Sequence, residues 1–108
     1  MQVCVLGSGS AGNCTYIATD QSHILLDVGF GLRSLRRRLE EASLRLDDVQ
    51  ALILSHGHSD HVAGATALTN ELGVPVFMNQ GTRDEVPELR ELGRWECFAA
   101  GQPFSVGN

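Results

Sequence analysis

Short apolar runs alternate along this chain with stretches in which apolar residues recur every three or four positions. The three- and four-residue spacing predicts an amphipathic helix around residues 32–42. A second helix is predicted from a cap at Ser59 or Asp60 to Gly73, and a weaker one over residues 81–92. The apolar runs are rich in β-branched and aromatic residues and predict strands over residues 2–6, 14–19, 23–28, 49–54, 74–78, 95–98 and 104–106.

The order of these elements predicts an α/β fold with a mixed sheet. The turn Asp20-Gln21-Ser22 joins the second and third strands into a hairpin, whereas strands and helices alternate after residue 30. The 108 residues are enough for one small domain. However, the last predicted strand ends two residues before the end of the sequence, with no helix after it. We therefore expect residues 1–108 to be a portion of an interrupted fold.

The composition is typical of a globular protein that works away from membranes. Hydrophobic residues make up 43% of the chain, and the net charge of -5 opposes broad attraction to nucleic acid or anionic lipid. No apolar run approaches the roughly 20 residues that span a bilayer, and the first residues do not resemble a signal peptide. The three cysteines form no CxxC pair, so we expect reduced thiols and a cytoplasmic location.

All of the basic residues are arginines, and half of them lie in one short segment, at Arg33, Arg36, Arg37 and Arg38. Two interpretations of this cluster stay open. It is either the solvated face of a helix or a local patch that grips phosphate through bidentate guanidinium contacts.

The segment Gly7-Ser8-Gly9-Ser10-Ala11-Gly12 matches the G-x-G-x-x-G pattern of dinucleotide-binding loops. Such loops hold a pyrophosphate against the N-terminus of a following helix. Here the next residues, 13–19, predict a strand, and the turn at residues 20–22 comes too soon for a βαβ crossover. We therefore predict a glycine-rich entry to a hairpin, whose backbone passes close to another part of the protein.

Three of the four histidines fall within six residues, in the run Ser55-His56-Gly57-His58-Ser59-Asp60-His61. Imidazole and carboxylate are the donors that zinc and similar ions prefer. His56 and His58 are two positions apart in an extended stretch and can point the same way, toward one ion. Asp60 and His61 lie beyond the turn and would face a second ion. The run follows a buried strand, which suits a rigid catalytic metal centre.

His56-Gly57-His58-Ser59-Asp60-His61 resembles the HxHxDH signature of the metallo-β-lactamase superfamily. The resemblance implies the N-terminal half of an αββα sandwich and two divalent metal ions, zinc or alternatively manganese. It implies that His56 and His58 ligate the first ion, and that Asp60 and His61 ligate the second. By the same similarity, Asp60 orients the attacking hydroxide and is catalytic. Asp27, at the end of an early strand, supports the metal loop from behind.

The opening residues 7–14 and the segment 25–30 narrow the resemblance to the WalJ-like (YycJ-like) bacterial hydrolases. This branch implies exonucleolytic cleavage of DNA phosphodiesters by a hydroxide that two metals activate. DNA is then the expected partner. Substrate contacts are expected in the glycine-rich loop, at Ser8, Gly9, Ser10 and Asn13.

The chain departs from the family pattern in length. Family members are more than twice as long, and their later half supplies further ligands, whereas no histidine follows His61 here. The chain alone is therefore expected to bind metal weakly and to be inactive. Two alternatives remain: hydrolysis of a thioester, lactam or small cyclic phosphate, and a non-catalytic metal-binding or interaction fragment that self-associates.

Overall fold

The structure, a computed structural model, describes residues 1–9, 12–55, 64–78, 82 and 95–97. Among these residues, no helix is both long and apolar enough to cross a membrane. The described elements are, in chain order, β1 (Gln2–Gly7), β2 (Cys14–Ala18), β3 (His23–Leu26), α1 (Leu32–Glu41), a 3-10 turn (Leu46–Asp48), β4 (Ala51–Ile53), α2 (Ala65–Leu72), β5 (Val76–Met78) and β6 (Trp95–Cys97).

The six described strands form one sheet in chain order. β1, β2 and β3 pair antiparallel, whereas β3 to β6 pair parallel. The hairpin between β2 and β3 closes where the backbone N–H of Thr19 donates to the carbonyl of Ser22, at 2.8 Å. Parallel pairing requires crossover connections, and α1 and α2 lie in the crossovers that flank β4. The predicted mixed α/β sheet is confirmed.

β1 and β2 end within one residue of the bounds predicted above, whereas one end of each of β3, β4 and β5 differs by two residues. β3 stops at Leu26, not at residue 28, because Asp27 has a left-handed φ of 62° that leaves the strand. β4 begins at Ala51 because the 3-10 turn ends at Asp48, with only two residues in between. β5 begins at Val76, immediately after Pro75, which has no backbone N–H to donate to a ladder.

The helix that ends at Gly73 begins later than predicted. Its N-cap is Gly64, so the described helix covers Ala65–Leu72 and is not capped by Ser59 or Asp60. The N–H of Gly64 donates to the carbonyl of Val28, at 2.9 Å. A tertiary bond therefore sets the start of α2. The helix predicted over residues 81–92, except Thr82, and the strand over residues 104–106 lie outside the described residues.

The two faces of the sheet differ in burial. One face packs under α1 and α2, where the side chains of Leu35 and Leu68 are fully buried against Leu25 and Leu52. On the other face β1 presents Val3 and Val5, which are 58% and 64% exposed. The residues beside them in register, Thr15, Ile17, Ile24, Leu26 and Ile53, are only half-buried. The core therefore lies on the helical side.

We predict that Leu35→Ala destabilises the fold by roughly 2–5 kcal/mol, because it leaves a cavity under α1 where no side-chain atom is exposed. The matched variant Leu32→Ala lies on the same helix at a half-buried position and should cost less. Urea unfolding followed by circular dichroism measures both. Equal losses for the two variants would contradict the helix orientation described here.

Candidate functional site

The four predicted metal ligands, His56, His58, Asp60 and His61, lie outside the described residues. In the part of the chain that the structure covers, no three His, Cys, Asp or Glu side chains gather around a common point. The ligand assignments therefore stay predictions. The structure describes the residues on either side of this histidine segment (residues 56–63), which are Ser55 before it and Gly64 after it, and the contacts that hold them.

Asp27 holds the residue that enters the histidine segment. Its Oδ1 accepts a hydrogen bond from the backbone N–H of Ser55, at 2.7 Å, and its Oδ2 accepts one from the Ser55 hydroxyl, at 2.5 Å. Asp27 is only 4% exposed, so these bonds to a charged acceptor are largely shielded from water. The carboxylate thus fixes both the backbone and the side chain of the residue next to His56.

The backbone of Asp27 is in a conformation that few residues other than glycine adopt. Its φ of 62° is left-handed, and aspartate is among the few side chains that tolerate this region. Its N–H still donates to the carbonyl of Ile53, at 2.7 Å, so the pairing of β3 with β4 continues up to this residue. The chain leaves the sheet immediately after this last bond, with the carboxylate bonded to Ser55.

Gly64, which follows the histidine segment, is bonded to Val28, the residue after Asp27. Gly64 donates its N–H to the carbonyl of Val28, and a Cβ on Gly64 would run into the Phe30 carbonyl and a Val28 methyl group. A residue with a side chain therefore does not fit at this contact. Residues 55 and 64, which flank the histidine segment, are therefore bonded to two consecutive residues, 27 and 28. We call these two residues the anchor.

The glycine-rich loop is attached to the same turn. The described part of this loop (residues 7–9 and 12–13) is closed by Asn13, whose side chain accepts from the N–H of Gly9 at 3.1 Å and donates to its carbonyl at 3.0 Å. The carbonyl of Asn13 accepts from the N–H of Gly29, at 2.9 Å. The loop is therefore bonded to Gly29, two residues after Asp27 in the turn.

The structure gives this loop a packing role and leaves its substrate role a prediction. Gly12 has a φ of 135°, and a Cβ there would come within 2.7 Å of the Phe30 ring. The predicted close approach of the loop is thus to Phe30. Ser8 and Gly9 are exposed, Asn13 is half-buried, and Ser10 lies outside the described residues. A strand follows the loop, as predicted, so it lacks the helix of a dinucleotide site.

The arginine cluster on α1 separates into different environments. Arg36 pairs with Glu71 at 2.7 Å, and Arg37 lies 3.8 Å from Glu41. Arg33 is exposed, whereas Arg38 turns inward and lies over the Phe30 ring, 4.2 Å from its centroid. Carboxylates offset two of the four charges, which favours a solvated helix face over a concentrated phosphate patch. Sequence reasoning missed the separate role of Arg38, although its position three residues after the buried Leu35 indicates the inward side of the helix.

Cys14, at the start of β2, is a packing residue. Burial raises the pKa of its thiol to about 12, and the negative charge of Asp27 adds to that rise. A thiol that stays protonated at neutral pH is neither a nucleophile nor a metal ligand. Cys14 therefore fills the core beside Asp27, as expected for a free cysteine in a strand.

Comparison with known proteins finds similarity to a protein family, to curated relatives and to solved structures. A family model described as the metallo-beta-lactamase superfamily matches residues 7–106. The chain is 34% identical over 85 residues to the exodeoxyribonuclease YycJ of Bacillus anthracis, covering 79% of the chain and 32% of that protein. It is 36% identical over 66 residues to the hydroxyacylglutathione hydrolase GloC of Haemophilus influenzae, covering 60% of the chain and 30% of that protein.

Among solved structures, the fold is similar to the crystal structure of MEM-A1, a subclass B3 metallo-beta-lactamase from a soil metagenome library. The TM-score is 0.76 at 22% identity, over 97% of this chain and 46% of that one. At this identity the likeness concerns the fold alone. The chain spans about a third of the length of the curated relatives it matches.

We predict that Asp27→Ala destabilises the protein by roughly 3 kcal/mol, because it removes two hydrogen bonds to a buried carboxylate. Asp27→Gly loses the same bonds but is free of the cost of a left-handed φ, so it should be less destabilised by about 1 kcal/mol. Asp20→Ala, in the exposed hairpin turn, is the control and should change stability by no more than about 0.5 kcal/mol. Urea midpoints measure all three. Equal stability of Asp27→Ala and the parent would refute the anchor.

Gly64→Ala is expected to destabilise the protein by about 1–3 kcal/mol, because the added methyl group meets backbone and Val28 atoms that have little room to move. Gly31→Ala is the matched control: a Cβ there meets nothing within 4 Å, and the residue has an ordinary φ of -68°. Thermal unfolding of both variants measures the difference. A Gly64→Ala protein as stable as Gly31→Ala would contradict the close contact with residues 28 and 30.

Proposed function

Because the chain belongs to the metallo-β-lactamase superfamily, we propose that its protein is a metal-dependent hydrolase whose reaction is exonucleolytic cleavage of phosphodiester bonds in DNA. The observation that carries this proposal is the anchoring of the histidine segment. A run of four metal-type donors in six residues enters from a carboxylate-held serine and leaves through a glycine bonded to the adjacent residue.

The donors in this segment fit divalent metal ions. Imidazole and carboxylate suit zinc, with manganese as the second choice, and the Asp27–Ser55 contact gives the segment a rigid start. His56 and His58 would hold one ion, and Asp60 and His61 the other. When bound, such ions lower the pKa of water and stabilise negative charge in a displacement. Four donors are two per ion, so tight binding needs further ligands from outside these 108 residues.

The chain's own residues have distinct proposed roles in the reaction. Asp60 accepts a hydrogen bond from the attacking water and orients it toward phosphorus, which makes it the catalytic residue of this segment. Asp27 orients the segment through Ser55, because carboxylates behind a metal site fix the direction of the ligating side chains. Ser8, Gly9, Ser10 and Asn13 are proposed to contact the substrate from the glycine-rich loop.

Similarity to the exodeoxyribonuclease of Bacillus anthracis supports DNA as the substrate. The charge distribution points to few phosphate contacts, because the net charge is -5 and Glu71 and Glu41 offset Arg36 and Arg37. Such a surface suits contact with a few phosphates at a DNA end better than binding along an extended duplex.

A thioester is the second candidate substrate, and two observations favour it. The chain is also similar to a hydroxyacylglutathione hydrolase, and its net negative charge suits a small substrate better than nucleic acid. The same ions would activate water toward a carbonyl carbon. Lactams and small cyclic phosphates belong to the same set of tests.

The exposed sheet face supports a third role for the 108 residues by themselves, as a non-catalytic unit that self-associates. Val3 and Val5 present apolar surface on the strand at one end of the described sheet. Edge strands of this kind pair readily with other chains. Sedimentation that finds a stable monomer would argue against this role.

The hydrolase is tested in the full natural protein that contains this chain, with linear DNA, RNA, a thioester, a lactam and a small cyclic phosphate as substrates. His58→Ala and Asp60→Ala should each lower the rate on linear DNA by roughly 10²-fold or more, and metal content, measured by atomic emission, should fall with them. Asp20→Ala is the matched control for Asp60→Ala and should leave both unchanged.

DNA cleavage that survives both substitutions and chelation would exclude a metal-dependent hydrolase. Metal-dependent cleavage of the thioester, with DNA left intact, would instead establish the second candidate.

A further inference from the structure

Arg38 differs from the other arginines of α1 in what it contacts. Its Nη1 donates to the carbonyl of Leu6, at 2.7 Å, and its Nε donates to the hydroxyl of Ser34, at 3.0 Å. Its guanidinium also lies 4.2 Å from the centroid of the Phe30 ring. Two directional bonds and one stacked face fix the plane of the guanidinium, which a lysine ammonium cannot reproduce.

The Leu6 carbonyl, which accepts the hydrogen bond from Arg38, lies at an irregularity in β1. The register with β2 shifts between Val5 and Gly7, so Leu6 has no paired residue opposite it. Such a bulge locally disrupts the ladder of backbone hydrogen bonds. Arg38 supplies a donor to the Leu6 carbonyl at this point, immediately before the glycine-rich loop begins. The helix thereby determines how β1 leads into the loop.

Arg38 and Phe30 lie together under one end of the described loop, and Phe30 also lies under the other end. A Cβ on Gly7 would come within 2.8 Å of Arg38 Nη1 and of Phe30 Cε2. At the other end, a Cβ on Gly12 would come within 2.7 Å of Phe30 Cδ2. The glycines are needed because the backbone passes directly over this stack. Arg38 therefore contacts the start of the loop from the side of the core.

Arg38 also keeps its positive charge next to the loop. Its acceptors are a carbonyl and a hydroxyl, and within the described ranges no carboxylate forms an ion pair with it. Arg36 and Arg37 on the same helix do have carboxylate partners. A cation held in place beside a glycine-rich backbone favours an anionic group at the loop.

We propose that Arg38 is a positioning residue that holds the glycine-rich loop against the turn at residues 27–30 and so sets the affinity for the phosphodiester substrate. The proposal rests on the proposed function for its substrate, but its structural part stands separately. Arg38 acts through the loop backbone and does not take part in the bond-breaking step. Its loss therefore raises KM and leaves kcat nearly unchanged.

The test uses Arg38→Met, which keeps a long apolar stem over Phe30 but removes every donor, in the full natural protein. Hydrogen exchange at the amides of Gly9, Gly12 and Gly29 should accelerate about tenfold, as expected for the loss of one hydrogen bond to a charged donor. Exchange at Leu25 and Leu52, in the core strands, should not change. KM for linear DNA should rise by about tenfold at constant kcat. Arg38→Lys should restore little of either, and Arg37→Met, at an exposed position of the same helix, is the control.

A second variant protects the test against misfolding of Arg38→Met. Gly7→Ala crowds Arg38 Nη1, Phe30 Cε2 and the Gly12 carbonyl without removing the charge of Arg38, and Gly31→Ala adds the same methyl group where nothing lies within 4 Å. Gly7→Ala should reproduce the loop exchange and the KM change, and Gly31→Ala should reproduce neither.

Unchanged loop exchange in both Arg38→Met and Gly7→Ala would overturn the positioning role. Faster loop exchange with an unchanged KM would overturn its link to substrate affinity. If the parent protein does not cleave DNA at all, the proposed function fails, while the exchange data still decide whether Arg38 holds the loop.

Discussion

The carboxylate of Asp27 is the contact on which the described part of the site depends. It ends β3, keeps its own N–H in the sheet, and binds Ser55 through both oxygens. Residue 27 makes these contacts from a left-handed backbone, which costs about 1–2 kcal/mol for a residue with a side chain. The conformation persists because three hydrogen bonds hold it. Strain of this kind is common where a side chain has to be held in a fixed direction.

Phe30 extends this support away from the sheet. The ring contacts the glycine-rich loop on one side, carries Arg38 over its face, and belongs to the core cluster. The backbone of the same residue leaves no room for a side chain at Gly64. One short turn, residues 27–30, thus contacts Ser55 and Gly64, the residues on either side of the histidine segment, and the glycine-rich loop. The contacts combine side chains, namely the Asp27 carboxylate and the Phe30 ring, with backbone hydrogen bonds from Gly64 to Val28 and from Gly29 to Asn13.

The alternation of apolar runs was sufficient to predict the strands, the hairpin and the helices of the described chain, because burial on one face imposes a period that the sequence displays. The ends of elements were harder to predict. β3 ends where a carboxylate captures Ser55, and α2 begins where Gly64 bonds Val28, and both contacts join residues far apart in sequence. Asp27 was selected through family resemblance, but its grip on Ser55 required the structure. The inward turn of Arg38 also depended on the position of Leu6, which no local pattern encodes.

The residues that hold Ser55 and Gly64 are different from the residues that are proposed to bind metal. Asp27, Val28 and Phe30 lie on a turn that follows directly from the hairpin, so their positions are set by the antiparallel half of the sheet. The residues they hold lie at the ends of β4 and α2, in the parallel half. Ser55 and Gly64, on either side of the proposed ligand segment, are thus held by residues of both halves of the sheet. Metal affinity then depends on how many donors converge there. Because the proposed ligand set has two donors per ion, further ligands would determine affinity, while the turn at residues 27–30 holds the residues on either side of that set.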